Sequence, residues 1–499
     1  MIQLLFALAL ACSDEPPTAP ETGPAVAPAL RLAVVIGYNG SDNAETQPLR
    51  YADDDAIASH LLLTEAGVAS TLLVATDQET AALFPALDKA VAPTRANVLT
   101  ALTHAWAVID QARAAGRSTE FFLFYTGHGN VERGVGYLTL ADGRFTRRDL
   151  YREVLEQSHA NRNHLIIDAC RSYYFVFERG AGGDRTSAPA GFSKFFKLPT
   201  NTGLLLSTSS DRESHEWERI QAGIFSHEVR SALRGAADAD RDGQLTYAEV
   251  GAFLEAANAG IDNPRFRPDF FVRPPRAAAS DQEDLSAPLL GWRASDGTAM
   301  QPALVLDSGS WQHLYVEDAQ GRRLADAHPA TDETFALYLP GDRPLFVSQV
   351  GTEREATIVA VDQVALSTLA LTPPRVGARG AAHLAFDRLF GTPFSRQLIA
   401  TYTPRPPPPE PPIPPRPWLT APLAIGVGGV LLVPGVLMHG VAVVTRLGGD
   451  DLSNLERQQR NTLITAMNIA ALSTYALGVV VAGVGAILLP WPEPEEDAE

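Results

Sequence analysis

Two residues in this chain combine reactive side chains with a setting that could use them: His128, in Thr126-Gly127-His128-Gly129, and Cys170, in Asp168-Ala169-Cys170-Arg171. Each follows an apolar run, Glu120-Phe-Phe-Leu-Phe-Tyr125 or His164-Leu-Ile-Ile-Asp168, that reads as a buried parallel strand. Parallel sheets build their sites beyond the carboxyl ends of strands, so neighbouring strands would hold imidazole and thiol over one edge. A thiol becomes a strong nucleophile when an imidazole takes its proton or stabilises the thiolate. Glycines on both sides of His128 let backbone approach a substrate closely. The pattern predicts acyl transfer, with Cys170 as nucleophile and His128 as general base. Either residue alone has a plainer reading, an inert buried cysteine or a histidine satisfying a local hydrogen bond. The pairing at two strand ends favours chemistry.

A second constellation suits a metal. Asp238-Ala-Asp240-Arg-Asp242-Gly243-Gln244-Leu245-Thr246-Tyr-Ala-Glu249 follows the EF-hand loop, with carboxylates at loop positions 1, 3, 5 and 12 and glycine at 6. Gln244 supplies the carbonyl donor at position 7. Flanking segments 224–235 and 246–258 read as helices. Asp238, Asp240, Asp242, Gln244 and Glu249 are therefore expected to hold Ca²⁺. A loop that binds weakly, or uses calcium only as a structural clip, is the alternative. No partner EF-hand is visible.

The elements that must position these groups alternate in type. Leu32-Ala-Val-Val-Ile-Gly37, Ser70-Thr-Leu-Leu-Val-Ala75 and Gly203-Leu-Leu-Leu-Ser207 read as further strands, and Ala52 to Leu63 and residues 93–115 as helices. This predicts an α/β domain over residues 30–280, its mostly parallel sheet covered by helices on both faces. Residues 285–400 change character. Trp311-Gln-His-Leu-Tyr-Val316, Thr334-Phe-Ala-Leu-Tyr-Leu339 and Pro344-Leu-Phe-Val-Ser-Gln349 alternate between turns, which predicts a small β-sandwich-like accessory domain.

Three motifs, LRYADDDA at 49–56, YTGHG at 125–129 and DACRS at 168–172, together resemble the caspase-like peptidases, especially bacterial relatives of metacaspases. The resemblance spans roughly residues 30–260. It implies a caspase-like fold and a Cys–His dyad, His128 and Cys170, that cleaves peptide bonds through an acyl-enzyme. The N–H groups of Gly129 and Cys170 would match the oxyanion hole. Asp168, two residues before the nucleophile, and Asp55 match metacaspase substrate-binding acids, and Thr126 takes the place of a pocket-lining serine. Leu49 stands where caspases place an Asp-binding arginine. Two such carboxylates would pair a P1 Arg or Lys and repel an acidic P1 side chain. The plainer reading has Asp55 capping the helix that follows it and Asp168 tying down a loop. Arg171, Arg212 and Arg219 leave an acidic preference open. Ser209, Glu216 and Trp217 correspond to pocket walls in the family, though a polar surface loop explains them equally. Tyr173 and Tyr174 either line a pocket or pack in the core.

Composition narrows the partners. Forty basic against 58 acidic residues give a formal charge of -18, and no Lys/Arg cluster offers itself to phosphates, so a nucleic-acid partner is not expected. The two cysteines, Cys12 and Cys170, sit in contexts too different to suggest a disulfide.

Residues 1–12, MIQLLFALALAC, resemble a secretory signal, or a lipoprotein signal that would leave Cys12 lipidated. Residues 13–29 read as a solvated tether, and 404–417 as a polyproline spacer of about 40 Å. Residues 422–444 and 462–489 hold no Asp, Glu, Lys or Arg and are each long enough to cross a bilayer. They predict a transmembrane hairpin, with a kink at Pro434 and a small-residue face at Gly478, Ala482 and Ala486. Arg446, Arg457 and Arg460 place the connecting loop inside. The domains and the acidic tail at 490–499 then face the periplasm of a bacterial cell. The composite expectation is a membrane-anchored, calcium-binding cysteine endopeptidase acting on polypeptides after Arg or Lys. A catalytically silent binding or signalling module, and acyl transfer to an amine, are the other readings.

Overall fold

The chain begins with β1 (Leu30–Tyr38), α1 (Ala52–Glu65), β2 (Ala69–Val74), the short α2 (Gln78–Leu83), α3 (Arg95–Ala114) and β3 (Thr119–Gly127). A small sheet of β4 (Gly129–Glu132), β5 (Val135–Leu140) and β6 (Gly143–Thr146) follows. Next come α4 (Arg147–Asp149), β7 (Arg162–Asp168), α5 (Ser172–Val176) and β8 (Thr202–Ser207). The hairpin β9 (Glu216–Trp217) and β10 (Ala222–Gly223) leads into α6 (Ile224–Ser231), β11 (Gln244–Thr246), α7 (Tyr247–Ala259) and β12 (Phe270–Arg273). This computed structural model describes residues 28–42, 46–85, 87, 90–132, 135–177, 198–208, 216–218, 220–261, 267–276, 283–307, 311–359, 363–373, 388–406, 421–447 and 454–487. Cys12, the tether to residue 27, Ser209, Arg212, Arg219, most of the polyproline spacer and the acidic tail lie outside those residues.

Strands β2, β1, β3, β7 and β8 pair in parallel in that order, and β12 closes the edge antiparallel to β8. The order reverses at β1, with β2 on one side and β3 on the other, so the topological switch lies at the carboxyl ends of β1 and β3. Alternation along the strands divides the core in two. Ala33, Val35, Phe122, Phe124 and Ile166 join α1, α6 and α7, whereas Val34, Ile36, Phe121, Leu123 and Ile167 join α3. Helices therefore cover both faces, as the strand–helix alternation predicts.

The strands of residues 288–372 form the rest of this unit: β13 (Pro288–Gly291), β14 (Leu304–Leu306), β15 (Leu314–Asp318), β16 (Arg323–Ala327), β17 (Phe335–Leu337), β18 (Leu345–Gln349), β19 (Glu355–Ile358), β20 (Val364–Ala365) and β21 (Leu371–Thr372). They make an antiparallel sheet β16-β15-β18-β19-β21 and a smaller sheet β17-β14-β20, while β13 pairs with β11. A short helix, α8 (Arg396–Thr401), follows them. The β-rich region shares a core with the α/β region rather than standing apart, and one compact unit runs to Pro409. The apolar faces of α6 and α7, with Val229, Phe253 and Leu254, need that cover. Arg31 of β1 adds a polar tie, donating to Ala66 O at 2.6 Å and Arg293 O at 2.9 Å.

A second unit holds α9 (Ala421–Leu447) and α10 (Asn454–Ile487), which pack on each other with Gly435 against Thr474 and Tyr475. Among the described residues one stretch, Leu455–Val480, is long and apolar enough to cross a membrane, and the apolar stretch in α9 is the shorter Leu432–Arg446. Helix α9 continues through Pro434.

Where α7 starts, Tyr247 shares a 2.8 Å hydrogen bond with His164 of β7, and both side chains are fully buried. Burial pushes the His164 imidazole down to about 3, so it stays neutral. Tyr247→Phe leaves that ring nitrogen unpaired at a cost of about 1–2 kcal/mol. Thermal unfolding of the full chain in detergent is expected to shift down by about 3–6 °C.

Candidate active site

The sheet register puts Gly37, Thr126 and Asp168 side by side at the carboxyl edge, on β1, β3 and β7. Immediately beyond β3 the chain turns over the ring of Tyr125. Its buried hydroxyl donates to His128 O and lies 2.8 Å from Thr139 O, while Thr139 N donates back to it at 3.1 Å. Gly127, at φ +153°, makes this turn possible, because a Cβ there would lie 2.6 Å from the Tyr125 hydroxyl. Beyond β7 the chain bends just as sharply. Arg171 adopts the left-handed conformation at φ 55°, and the Ser172 hydroxyl donates to Ser207 O.

These two turns touch. A Cβ on Gly129 would stand 2.7 Å from Cys170 O and 2.9 Å from the Ala169 Cβ, so only glycine lets them meet. Arg171 Nη1 reaches Asn130 Oδ1 at 3.4 Å, a second link between them. Cys170 and His128 are both half-buried, with Cys170 in no disulfide. The His128 Nε2 lies 3.0 Å from Gln47 O, and a carbonyl can only accept, so Nε2 carries the hydrogen. Nδ1 is then the nitrogen whose lone pair can receive a proton. Gln47 belongs to no motif, and its backbone role has no signal in the sequence.

Asp55 and Asp168 converge on the amino end of α6. Asp168 Oδ2 accepts from Ser226 N at 3.1 Å and Ser226 Oγ at 2.6 Å. Asp55 Oδ2 accepts from Gly223 N at 2.7 Å, and its Oδ1 pairs with Arg230 Nη2 at 2.7 Å. Burial pushes the Asp55 carboxyl up to about 7 against the pull of Arg230, and the charge of Asp168 adds to the rise. A narrow cavity beneath them, lined by Val35, Phe124, Thr126, Asp168, Phe225 and Ser226, has room for about one water molecule. Asp168 thus has the loop-tying bonds of the plainer reading, whereas Asp55 lies inside α1 and caps nothing there, its bonds going to Gly223 and Arg230, and the two acids are brought together as well.

The other expected residues divide. Glu216 accepts from Arg50 N at 3.0 Å and Tyr51 N at 2.9 Å, which fixes the segment leading to Asp55. Trp217 is buried in the core. Tyr173 lies against Phe177 and Phe271 in an aromatic cluster, with Tyr174 edge-on to it, so core packing accounts for them. Leu49 is half-buried and donates its N–H to Asn39 O.

Beyond the end of α6 lies the acidic loop. Oxygens of Asp238, Asp240 and Asp242 lie within 4.8 Å of one another. Arg241 at φ 62° and Gly243 at φ 75° turn the backbone, and Asp238 Oδ2 accepts from Gly243 N at 3.0 Å. The buried Asp238 Oδ1 has no hydrogen-bond partner. Asp242 Oδ1 accepts from Gln244 N at 2.7 Å. Glu249 is outside this group of three, because Thr246 N and Oγ1 both donate to its Oε2 at 2.8 Å in a capping box. A carboxylate group with one orphaned buried oxygen fits a hard divalent cation.

A mostly parallel α/β sheet covered by helices on both faces carries the histidine and cysteine turns in contact beyond its adjacent strands β3 and β7. Residues 30–265 match the family described as Caspase domain, and this part of the chain has a caspase-like fold. No curated protein sequence matches the chain. Solved structures similar to it include "pro-sf-caspase-1", at 13% identity and a TM-score of 0.30, covering 56% of this chain and 94% of that one. Caspase-1 from Spodoptera frugiperda stands at 12% identity and 0.30, covering 56% and 92%. A Geobacter sulfurreducens protein stands at 19% and 0.30, covering 50% and 96%.

Gly127→Ala drives a methyl group into the Tyr125 hydroxyl and is expected to destabilise by about 1–3 kcal/mol. Tyr125→Phe removes the nearest obstructing atom and leaves the Tyr125 Cζ and Tyr38 O, each at 2.9 Å. Unfolding midpoints of both single variants and the pair should show the double variant less impaired than the sum, and strict additivity would exclude this contact.

Proposed function

We propose that this protein is a membrane-anchored, calcium-binding cysteine endopeptidase of caspase type that cleaves polypeptides after Arg or Lys. The observation that carries the reading is the contact of the Gly129 and Cys170 turns. In the proposed reaction His128 Nδ1 takes the Cys170 proton and the thiolate attacks the scissile carbonyl carbon. The oxyanion that forms is met by the N–H groups of Gly129 and Cys170. The carbon–nitrogen bond breaks as His128 returns the proton to the leaving amine. Water, deprotonated by His128, then hydrolyses the thioester and regenerates the thiol. Asp55, Asp168 and Thr126 are the proposed partners of the P1 side chain. The narrow cavity below them is the observation that favours the second reading, a catalytically silent module.

Asp238, Asp240, Asp242 and the Gln244 carbonyl, with Glu249 once it leaves its cap, are the proposed calcium ligands. Bound calcium would supply the positive charge that these carboxylates lack. The apolar helices α9 and α10 are read as the membrane anchor, and the loop arginines favour the periplasmic side for the peptidase domain. Cys12 remains the proposed lipidation site.

Reporter peptides ending in Arg, Lys or Asp test the reaction. Cleavage after Arg and Lys is expected, and Cys170→Ala or His128→Ala should lower it at least about 10³-fold with folding intact. No cleavage of any reporter would defeat the peptidase reading. Cleavage after Asp alone would overturn the basic P1 preference. Calorimetric titration tests the metal separately: the protein should bind Ca²⁺ and Asp238→Asn should abolish binding, with a calcium-dependent rise in the melting temperature lost alongside it.

A further inference from the structure

We infer that Arg230 sets the charge of the P1 pocket and thereby limits it to one basic side chain, an inference that rests on reading Asp55 and Asp168 as the pocket's acids. Arg230 lies on α6, outside every motif that marks the site. Its side chain and that of Asp55 are almost fully buried, at 5% and 2% exposure, so the pair is shielded from solvent screening. Arg230 grips Asp55 twice, with Nη2 at 2.7 Å from the carboxylate and Nη1 donating to the Asp55 carbonyl at 3.4 Å. The opposite carboxylate oxygen of Asp55 is held by Gly223 N.

The two acids are close enough to act as one charge centre. A single Cβ placed on Gly223 would stand 2.9 Å from Asp55 Oδ2 and 3.0 Å from Asp168 Oδ2. Two carboxylates in so small a buried space disfavour each other's ionisation unless a cation is near. Arg230 supplies that cation and leaves one unit of negative charge. One P1 Arg or Lys then brings the occupied pocket to neutrality. An acidic P1 side chain would set three carboxylates against one guanidinium.

The count carries a pH dependence. The charged groups that face Asp55 are Arg230 from α6 and Asp168 from β7. The adjacent Asp54 of α1 is pushed up to about 8 by burial and by Asp53 and Asp55, so it is protonated at neutral pH and adds no charge there. On α6, Glu228 interacts with Asp168, and burial holds its carboxyl far above the usual range, so it adds no charge. The neighbouring His227 is kept neutral by burial and faces Asp326 of β16. As pH falls through about 7, Asp55 takes up a proton and the pocket loses its net negative charge. KM for basic substrates should therefore rise toward acid pH, by up to about tenfold per pH unit for a single proton. Without Arg230, Asp55 would ionise only at higher pH, and the rise would begin there.

Steady-state kinetics of the full chain on Arg, Lys and Asp reporters across the neutral range test this. Arg230→Met is expected to raise KM for the Arg reporter about tenfold at neutral pH, with kcat within about twofold, and to move the acid limb of the KM profile upward. Arg230→Lys should return the limb toward its original position. Asp55→Asn/Arg230→Met removes both buried charges together and tests the count even where the single variant does not fold. It should keep the basic preference through Asp168 and lose the limb near neutrality. A folded Arg230→Met with an unchanged profile, or a double variant that retains the limb, would overturn the inference while wild-type cleavage after Arg upholds the pocket itself. A wild-type protein that cleaves none of the reporters would remove both.

Discussion

The amino end of α6 is the constraint on which the site depends. Its first residues give amide hydrogens to Asp55 and Asp168, and helix amino termini favour negative charge at that place. The same helix returns Arg230 to Asp55 one turn along the face that carries Ser226. Asp55 is the last of three consecutive buried aspartates in the first turn of α1, and none could be buried without partners. Asp53 is held by Asn39 and by Asp77 N, Asp54 by the Thr80 hydroxyl. Glu216 fixes the two amides before α1. The strand–helix connection at the switch point is thus clamped from several sides, and β7 meets it through Asp168.

How much of this could be read from the sequence follows from how local each feature is. The strands ending at Gly127 and Asp168 announce themselves as apolar runs, and the structure extends the first by three residues and the second by two. The acidic loop is equally local, since its ligand spacing and its glycine lie within twelve consecutive positions. What could not be read are partners fixed by distant chain segments. Arg230 lies 175 residues from Asp55, and Glu216 lies 166 from Arg50. Gln47 contributes a backbone carbonyl, which every residue type carries, so no side-chain pattern could mark it. The same limit explains the region of residues 285–400. Its alternation shows strands but not that their apolar face closes over α6 and α7, nor that β13 pairs with β11.

That pairing bears on the acidic loop. Leu245 of β11 stands opposite Leu290 of β13, and Tyr247 two residues later is tied to His164 in the central sheet. The loop backbone is therefore held at its exit by elements outside it, and its turns at Arg241 and Gly243 are already made. Of the proposed ligands, Glu249 is held by another bond. Glu249 holds Thr246 N and Oγ1, yet Thr246 Oγ1 also accepts from Glu249 N at 3.2 Å. If the Glu249 carboxylate turned toward a metal, that half of the cap would survive. The loss is confined to the reciprocal half, on the order of 1 kcal/mol. Against it stands Asp238, whose buried oxygen has no hydrogen bond to give up and would gain a ligand bond. The proposed calcium would therefore ask for a rearrangement of side chains around a backbone that elements outside the loop already hold.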